Sequence, residues 1–373
     1  MISPAVLGCQ RQQSHSTRKE ESQTVALFPV VQDAKRGFVD KAGQIAIPPQ
    51  FDDARAFAEG LAAVKIGDRW GYVDQKGHYV ANPQFDEARD FQNSLAAIKM
   101  GSRWGYIDQA GKLVVNPQFD NAWNFSEGIA NVQVGKRWGY IDQKGQYVAN
   151  PQFDEAEGFS EGLAEVCVGE KCGFIDKSGE LVINPQFDSW CDKEVSPGWQ
   201  RLYCDPEFSE GLVAVRIKGK VGYADRNGKL CVNPQFEEGW KFREGVAVVK
   251  VGGKDGIIDK TGKFVVNPQF DDLSWSFREG LASAEMGKKW GFIDKAGKLV
   301  VSAQFDSVRE FGEGLAPVQV GGRWGYIDHK GKYVVSPQFD SADTHENGLA
   351  AVEIAGRKGY IDHLGKYVWN PTN

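Results

Sequence analysis

Between residues 129 and 150, apolar and polar positions alternate with a period of two around a glycine link. The run is Ile-Ala-Asn-Val-Gln-Val, then Gly135-Lys136, then Arg-Trp-Gly-Tyr-Ile-Asp, then Gln-Lys-Gly, then Gln-Tyr-Val-Ala-Asn. A period of two is what a half-buried strand requires. A two-residue glycine link is the connection that matches strand twist, and Gly67-Asp68, Gly101-Ser102, Lys218-Gly219, Gly252-Gly253 and Gly321-Gly322 stand at the equivalent place. The Asp-x-x-Gly step that follows predicts a second turn, with the Asp side chain capping it and Gly in the left-handed conformation. Proline cannot donate to a sheet, so the Pro-Gln-Phe-Asp phrase is expected to end the third strand in an irregular loop. Each unit therefore reads as a three-stranded antiparallel meander.

The unit recurs. Pro-Gln-Phe-Asp begins at Pro49, Pro83, Pro117, Pro151, Pro185, Pro268 and Pro337, with variants at Pro234 and Ala303. Phe-x-Glu-Gly-Leu-Ala appears at Phe57, Phe159, Phe277 and Phe311 in the same phase. The glycine of the Trp-Gly step falls at Gly37, Gly71, Gly105, Gly139, Gly173, Gly222, Gly256, Gly291, Gly325 and Gly359. Neighbours differ by 34, except 49 between Gly173 and Gly222 and 35 between Gly256 and Gly291. The extra 15 residues (49 − 34) and the single extra residue enter the same loop, after Pro-Gln-Phe-Asp. The fold class expected is all-β, with ten tandem repeats stacked on one another because a three-stranded sheet has little core of its own. Ten three-stranded units exceed the usual propeller of four to eight four-stranded blades. The expected arrangement is an open superhelical solenoid, the alternative a closed propeller-like ring. Residues 24–373 form the array, with the insertion within 189–207, and residues 1–23 are a polar tail expected to be disordered.

These phrases, in this order, resemble the WG (KWG) β-repeat family of bacterial proteins. The resemblance covers roughly Thr24 to the C-terminus. It implies a repeat module with no established catalytic role, common in envelope or secreted proteins. The chain departs from the pattern where Arg36, Cys172, Val221, Asp255 and Lys358 replace the Trp.

Composition changes this picture little. The chain is 41% hydrophobic and 25% charged, with a net charge of −6. That acidic, interspersed balance argues against a nucleic-acid partner, which calls for a basic stripe. Chemistry is not legible either. The acids Asp74, Asp108 and Asp142 and their equivalents recur at the turn in all ten units, whereas an acid/base pair needs two unlike environments. His15, His78, His329, His345 and His363 show no ligand spacing, and no nucleophile elbow or phosphate or dinucleotide fingerprint is present. No catalytic residue, metal or cofactor is expected.

The cysteines bear on compartment. Val6-Leu7-Gly8-Cys9 resembles a bacterial lipobox, making Cys9 a lipidation candidate if a signal peptide has been clipped upstream; the alternative is a disordered tail with an idle thiol. Across the Gly169-Glu170 turn, Cys167 faces Cys172 in a close, non-hydrogen-bonded pair within disulfide reach. Cys191 and Cys204 could staple the insertion, and Cys231 takes a strand position held by Val or Ala elsewhere. Two bridges would indicate an oxidising compartment. The expected location is therefore the cell envelope or the exterior as a lipoprotein, otherwise the cytoplasm, with membrane contact only through a lipid on Cys9.

One position varies suggestively. Two residues before the repeat Phe stand Arg55, Arg89, Glu157 and Arg309, but Trp123, Trp240 and Trp275, and the insertion adds Trp190 and Trp199. Stacking would line these into an Arg/Trp ladder, and Trp and Arg are the usual interface anchors. The expected function is non-catalytic binding or scaffolding in the bacterial envelope through a protein partner. The alternative is a glycan or peptidoglycan binder, since Trp-Gly-Tyr-x-Asp-x-x-Gly is similar to choline-binding cell-wall repeats. An accessory subunit of an enzyme is the remote third.

Overall fold

A computed structural model describes residues 26–190, 206–275 and 277–372. Cys9, Cys191, Trp199 and Cys204 lie outside the described residues. No helix among the described residues is long and apolar enough to cross a membrane.

The first unit is a meander of β1 (Phe28–Gln32), β2 (Lys35–Val39) and β3 (Ile45–Phe51). In the second unit β5 (Leu61–Ile66), β6 (Arg69–Asp74) and β7 (Tyr79–Phe85) repeat that meander, and a two-residue strand, β4 (Asp53–Ala54), pairs with β5. The described residues form nine sheets: one of three strands, seven of four and one of seven. The seven-stranded sheet joins two units through the single pair Asp188↔Arg216. The three-stranded meander thus holds, with a short strand drawn from the loop added to most units.

The proline phrase behaves differently from expectation. Strand β7 runs through Pro83 to Phe85, so Pro-Gln-Phe belongs to the third strand and does not end it. The register jumps from Trp70↔Phe85 to Tyr72↔Ala81, leaving two extra residues in a bulge. Pro83 sits in that bulge, where the missing N–H costs no ladder bond. The bulge also explains the glycine of the Trp-Gly step. A Cβ on Gly105 would lie 2.5 Å from the Val115 carbonyl oxygen and 2.7 Å from the Pro117 nitrogen. The following turn is built as read: Asp108 Oδ1 accepts from the amides of Ala110 and Lys112, and Gly111 has φ +76.

The core lies between units. One buried cluster combines Trp104, Tyr106, Val115 and Phe119 with Ala122, Phe125, Val132 and Ile141 of the following unit. The Tyr106 hydroxyl donates to the Trp123 carbonyl at 2.7 Å, and Tyr72, Tyr223 and Tyr326 make the same bond. The Asp of Gln-Phe-Asp ties neighbours on the outside: Asp120 pairs with Arg103 and accepts the next hairpin's Gly135 amide at 2.7 Å.

The two ends of this array meet. The Tyr360 hydroxyl donates to the Pro29 carbonyl at 2.9 Å, and the Phe28 and Tyr360 ring centroids are 5.4 Å apart. Phe28, Val30 and Val39 share a buried cluster with Leu349, Tyr360 and Val368. The Tyr360 bond is the counterpart of one between ordinary neighbours, that of Tyr140 to the Glu165 carbonyl. Of the two arrangements open to the sequence, these contacts are those of the ring. Among the described residues the ends meet through this tyrosine bond and apolar seam, with no strand exchanged between them.

Candidate functional site

The Arg/Trp position follows the two-residue strand, and its backbone is fully used. The amide of Arg89 donates to Ala97 O, and its carbonyl accepts from Tyr72 at 2.6 Å. Only the side chain is left to vary between units. Arg89 lies 4.9 Å from the Trp104 ring and 4.2 Å from the Trp123 ring, so the guanidinium is stacked between two indoles of successive units. Arg55 covers Trp70 at 5.3 Å and Arg309 covers Trp324 at 5.5 Å. Arg216 covers Trp190 at 4.6 Å, and Lys250 approaches Trp240 at 5.9 Å. Arg55 and Arg309 also reach Asp90 and Asp343, at 3.8 and 3.0 Å. Trp123, Trp190 and Trp240 pack against buried clusters, whereas Trp275 is 50% exposed. Cation–π stacking of this kind contributes about 0.5–1 kcal/mol at exposed sites. Most of these stacking contacts lie within one unit, and the links from this position to the next unit are Arg89 to Trp123, Arg55 to Asp90 and Arg309 to Asp343.

A second ladder escaped the reading of the sequence. The Glu of Phe-x-Glu-Gly accepts the turn amide one unit on: Ser94 donates to Glu59 at 2.8 Å, Gly162 to Glu127 at 2.9 Å and Gly348 to Glu313 at 2.9 Å. A base from that next unit, about 50 residues along the chain, covers the same carboxylate: Lys177 on Glu127, Lys260 on Glu210, Lys295 on Glu244, His329 on Glu279 and His363 on Glu313. The signal was present as a constant sequence separation, but a glutamate before glycine reads as turn chemistry alone. These acids are structural links and form no unlike pair of the kind acid/base chemistry needs.

Two departures from the repeat place polar groups in the core. Asp255, at a Trp position, is fully buried, and burial pushes its carboxyl up to about 6. His345, at a Phe position, is 3% exposed and packs against Tyr326 and His363; burial lowers its basicity. Cys167 and Cys172 are joined by a disulfide, and Cys231 is free and exposed.

The third strand of most units leaves large apolar side chains in water. Tyr79, Leu113, Val114, Tyr147, Leu181 and Val182 are each about two-fifths exposed. Tyr147 packs edge-on to Phe119 of the preceding unit at 6.4 Å, and Tyr333 to Phe305 at the same distance. These tyrosines thus lean on the buried phenylalanine of the unit before.

A crystal structure of the eukaryotic initiation factor is similar over 93% of this chain and 95% of its own, at 12% identity and a TM-score of 0.55. Hsv2p of Kluyveromyces lactis matches 65% of this chain and 92% of its own at 9% identity and a TM-score of 0.38. The dihydro-heme d1 dehydrogenase NirN matches 84% and 73% at 13% identity and a TM-score of 0.38. The first of these likenesses is one of fold alone, and the other two are too slight to argue from. No curated protein matches the chain. The profile of the WG-containing repeat matches nine segments, at 37–70, 70–104, 104–138, 138–172, 173–189, 222–254, 256–290, 290–324 and 324–357. Matched over most of its length, the chain belongs to the WG-containing repeat family.

Proposed function

We propose that this chain is a non-catalytic scaffold of the bacterial cell envelope that holds a protein partner against its outer surface. The observation that carries the reading is the recurrence of exposed apolar side chains on the third strands of most units, where Val114, Val182 and Val300 stay about two-fifths exposed. Apolar side chains kept in water at the same place in unit after unit are of the kind that partners cover. The half-exposed Trp275 adds an anchor of the type enriched at interfaces. Repetition of one turn acid in every unit is the reason to regard the chain as lacking an active site of its own.

The test is capture of partners from envelope extracts by the full chain and by two variants. One carries Val114→Lys, Val182→Lys and Val300→Lys; the other carries Trp275→Ala. Loss of the same captured protein with the triple lysine variant, at unchanged thermal stability, supports the reading. Undiminished capture by both variants sinks the proposal. Binding to purified sacculi that survives protease treatment of the target would instead favour the glycan reading, for which the half-exposed Trp275 side chain is the supporting feature. Envelope attachment is proposed to run through acylation of Cys9. A radiolabelled fatty acid that labels the chain but not Cys9→Ser would support it, and equal labelling of neither would remove it.

A further inference from the structure

Where the array departs from its own period, three departures fall together in one unit. Glu165 stands where the preceding units have Ala63, Ala97 and Asn131; Cys167 where they have Lys65, Lys99 and Gln133; and Cys172 where they have Trp70, Trp104 and Trp138. Glu165 and Cys167 alternate onto one face of the strand Leu163–Val168, and Cys172 is the register partner of Cys167 on the strand Lys171–Asp176. Their donor atoms all lie within 4.8 Å of one another, and the three residues are 6%, 2% and 0% exposed. Among the described residues no other trio of His, Cys, Asp or Glu converges in this way. Opposite Cys167 on its other side the register places Glu155.

We propose that this hairpin is a thiolate–carboxylate site for Zn²⁺ or a similarly thiolate-preferring divalent ion, opened by reduction of the Cys167–Cys172 disulfide. A dithiol reductant supplies the two electrons and two protons: the S–S bond breaks, two thiols form, and the reductant leaves as its own disulfide. The ion then displaces both protons, so that two Sγ–metal bonds and one Oε–metal bond form and two protons go to solvent. Two thiolates and one carboxylate are a donor set that zinc accepts, with a fourth position left for water or a further oxygen. Burial disfavours a bare thiolate, and the charge of the ion is what makes deprotonation favourable there. With Zn–S bonds of about 2.3 Å, tetrahedral binding needs the sulfurs about 3.8 Å apart. That is a side-chain separation suited to two cysteines facing one another across a strand pair. Access comes from the hairpin end: only the pair Val168↔Lys171 separates the cysteines from the Gly169-Glu170 turn, and all four of those residues are exposed.

The experiment uses the full chain with Cys9, Cys191, Cys204 and Cys231 replaced by Ser, so that only this pair can answer. The protein is reduced with a phosphine under inert gas and titrated with Co²⁺. The expected result is a single equivalent bound, with thiolate-to-cobalt charge transfer and tetrahedral ligand-field bands that Zn²⁺ then abolishes. The unreduced protein should give neither signal. Glu165→Gln should weaken binding about tenfold or more, and Cys172→Trp, which restores the repeat residue, should eliminate it. The absence of charge transfer in reduced protein whose far-ultraviolet circular dichroism matches the oxidised form would overturn the proposal. Cobalt bound equally tightly by Glu165→Gln would overturn it as well.

Discussion

Asp255 makes the cost of a single departure from the repeat measurable. Its side chain is fully buried where other units carry Trp. Oδ2 accepts the Leu273 amide at 3.0 Å, while Oδ1 has no hydrogen bond and Lys250 Nζ stands 3.8 Å away. Burial raises the carboxyl pKa to about 6, helped by the carboxylates of Asp272 and Glu238 and opposed by the Leu273 amide and Lys250. In the unfolded chain the group titrates near its ordinary value of 3.8. Below that pH both states hold the proton and there is no penalty. Between it and about 6 the folded state binds more protons, so stability falls as pH rises, and above about 6 the loss is complete. A displacement of about two pKa units corresponds to about 3 kcal/mol. Asp255→Asn removes the charge and keeps an oxygen for Leu273, at the expense of the Lys250 attraction and of amide hydrogens with no partner. The expected net gain at pH 7.5 is about 2 kcal/mol, with no gain at pH 4. Urea unfolding of both proteins at the two pH values measures it, and hydrogen exchange at the Leu273 amide locates it. An equal difference at both pH values, or a less stable variant at pH 7.5, would refute the reasoning.

Two further predictions test the unit and its closure. Gly105→Ala forces a methyl group against the Val115 carbonyl and Pro117 nitrogen, at 2.5 and 2.7 Å. Because both are backbone atoms in a bulge, the loss should reach about 3 kcal/mol or more; urea midpoints compared with Gly101→Ala, at an open turn position, separate crowding from propensity. Tyr360→Phe deletes the hydroxyl that bonds Pro29 across the junction. It should cost about 1 kcal/mol and quicken hydrogen exchange in Phe28–Gln32 while leaving Ile129–Val134 unchanged. Equal exchange in both segments would deny that this bond holds the junction.

The hairpins and the Asp-x-x-Gly turns were legible because each rests on local chemistry: a period of two, a glycine link, and one carboxylate over two amides. What was misread depended on partners distant in the chain. Pro83 suggested a strand end, since proline lacks a ladder donor, but the strand continues because a bulge removes the need for that donor. The strand Asp53–Ala54 is two residues long and has no periodicity to detect. The variable Arg/Trp position could be assigned to one loop, yet that Arg89 would lie between Trp104 and Trp123 follows only from the stacking of units. Glu59 and its equivalents read as turn residues, and they are also links to the next unit. Closure has no local signature at all. It depends on a rotation per unit that no single repeat encodes.

That closure limits how such a chain can change length. An open stack can gain or lose a unit at its end with the others undisturbed. Here the Tyr360–Pro29 bond and the Phe28–Leu349 seam join the first unit to the last. Removing one 34-residue unit would require every remaining neighbour pair to adopt a wider turn, or the junction to part. The 15 residues added between Gly173 and Gly222 follow Pro-Gln-Phe-Asp in the sequence, and the units on either side of them keep the three-stranded meander. Variation in such a ring is therefore expected in its loops, while the number of units is set by the circle they must complete.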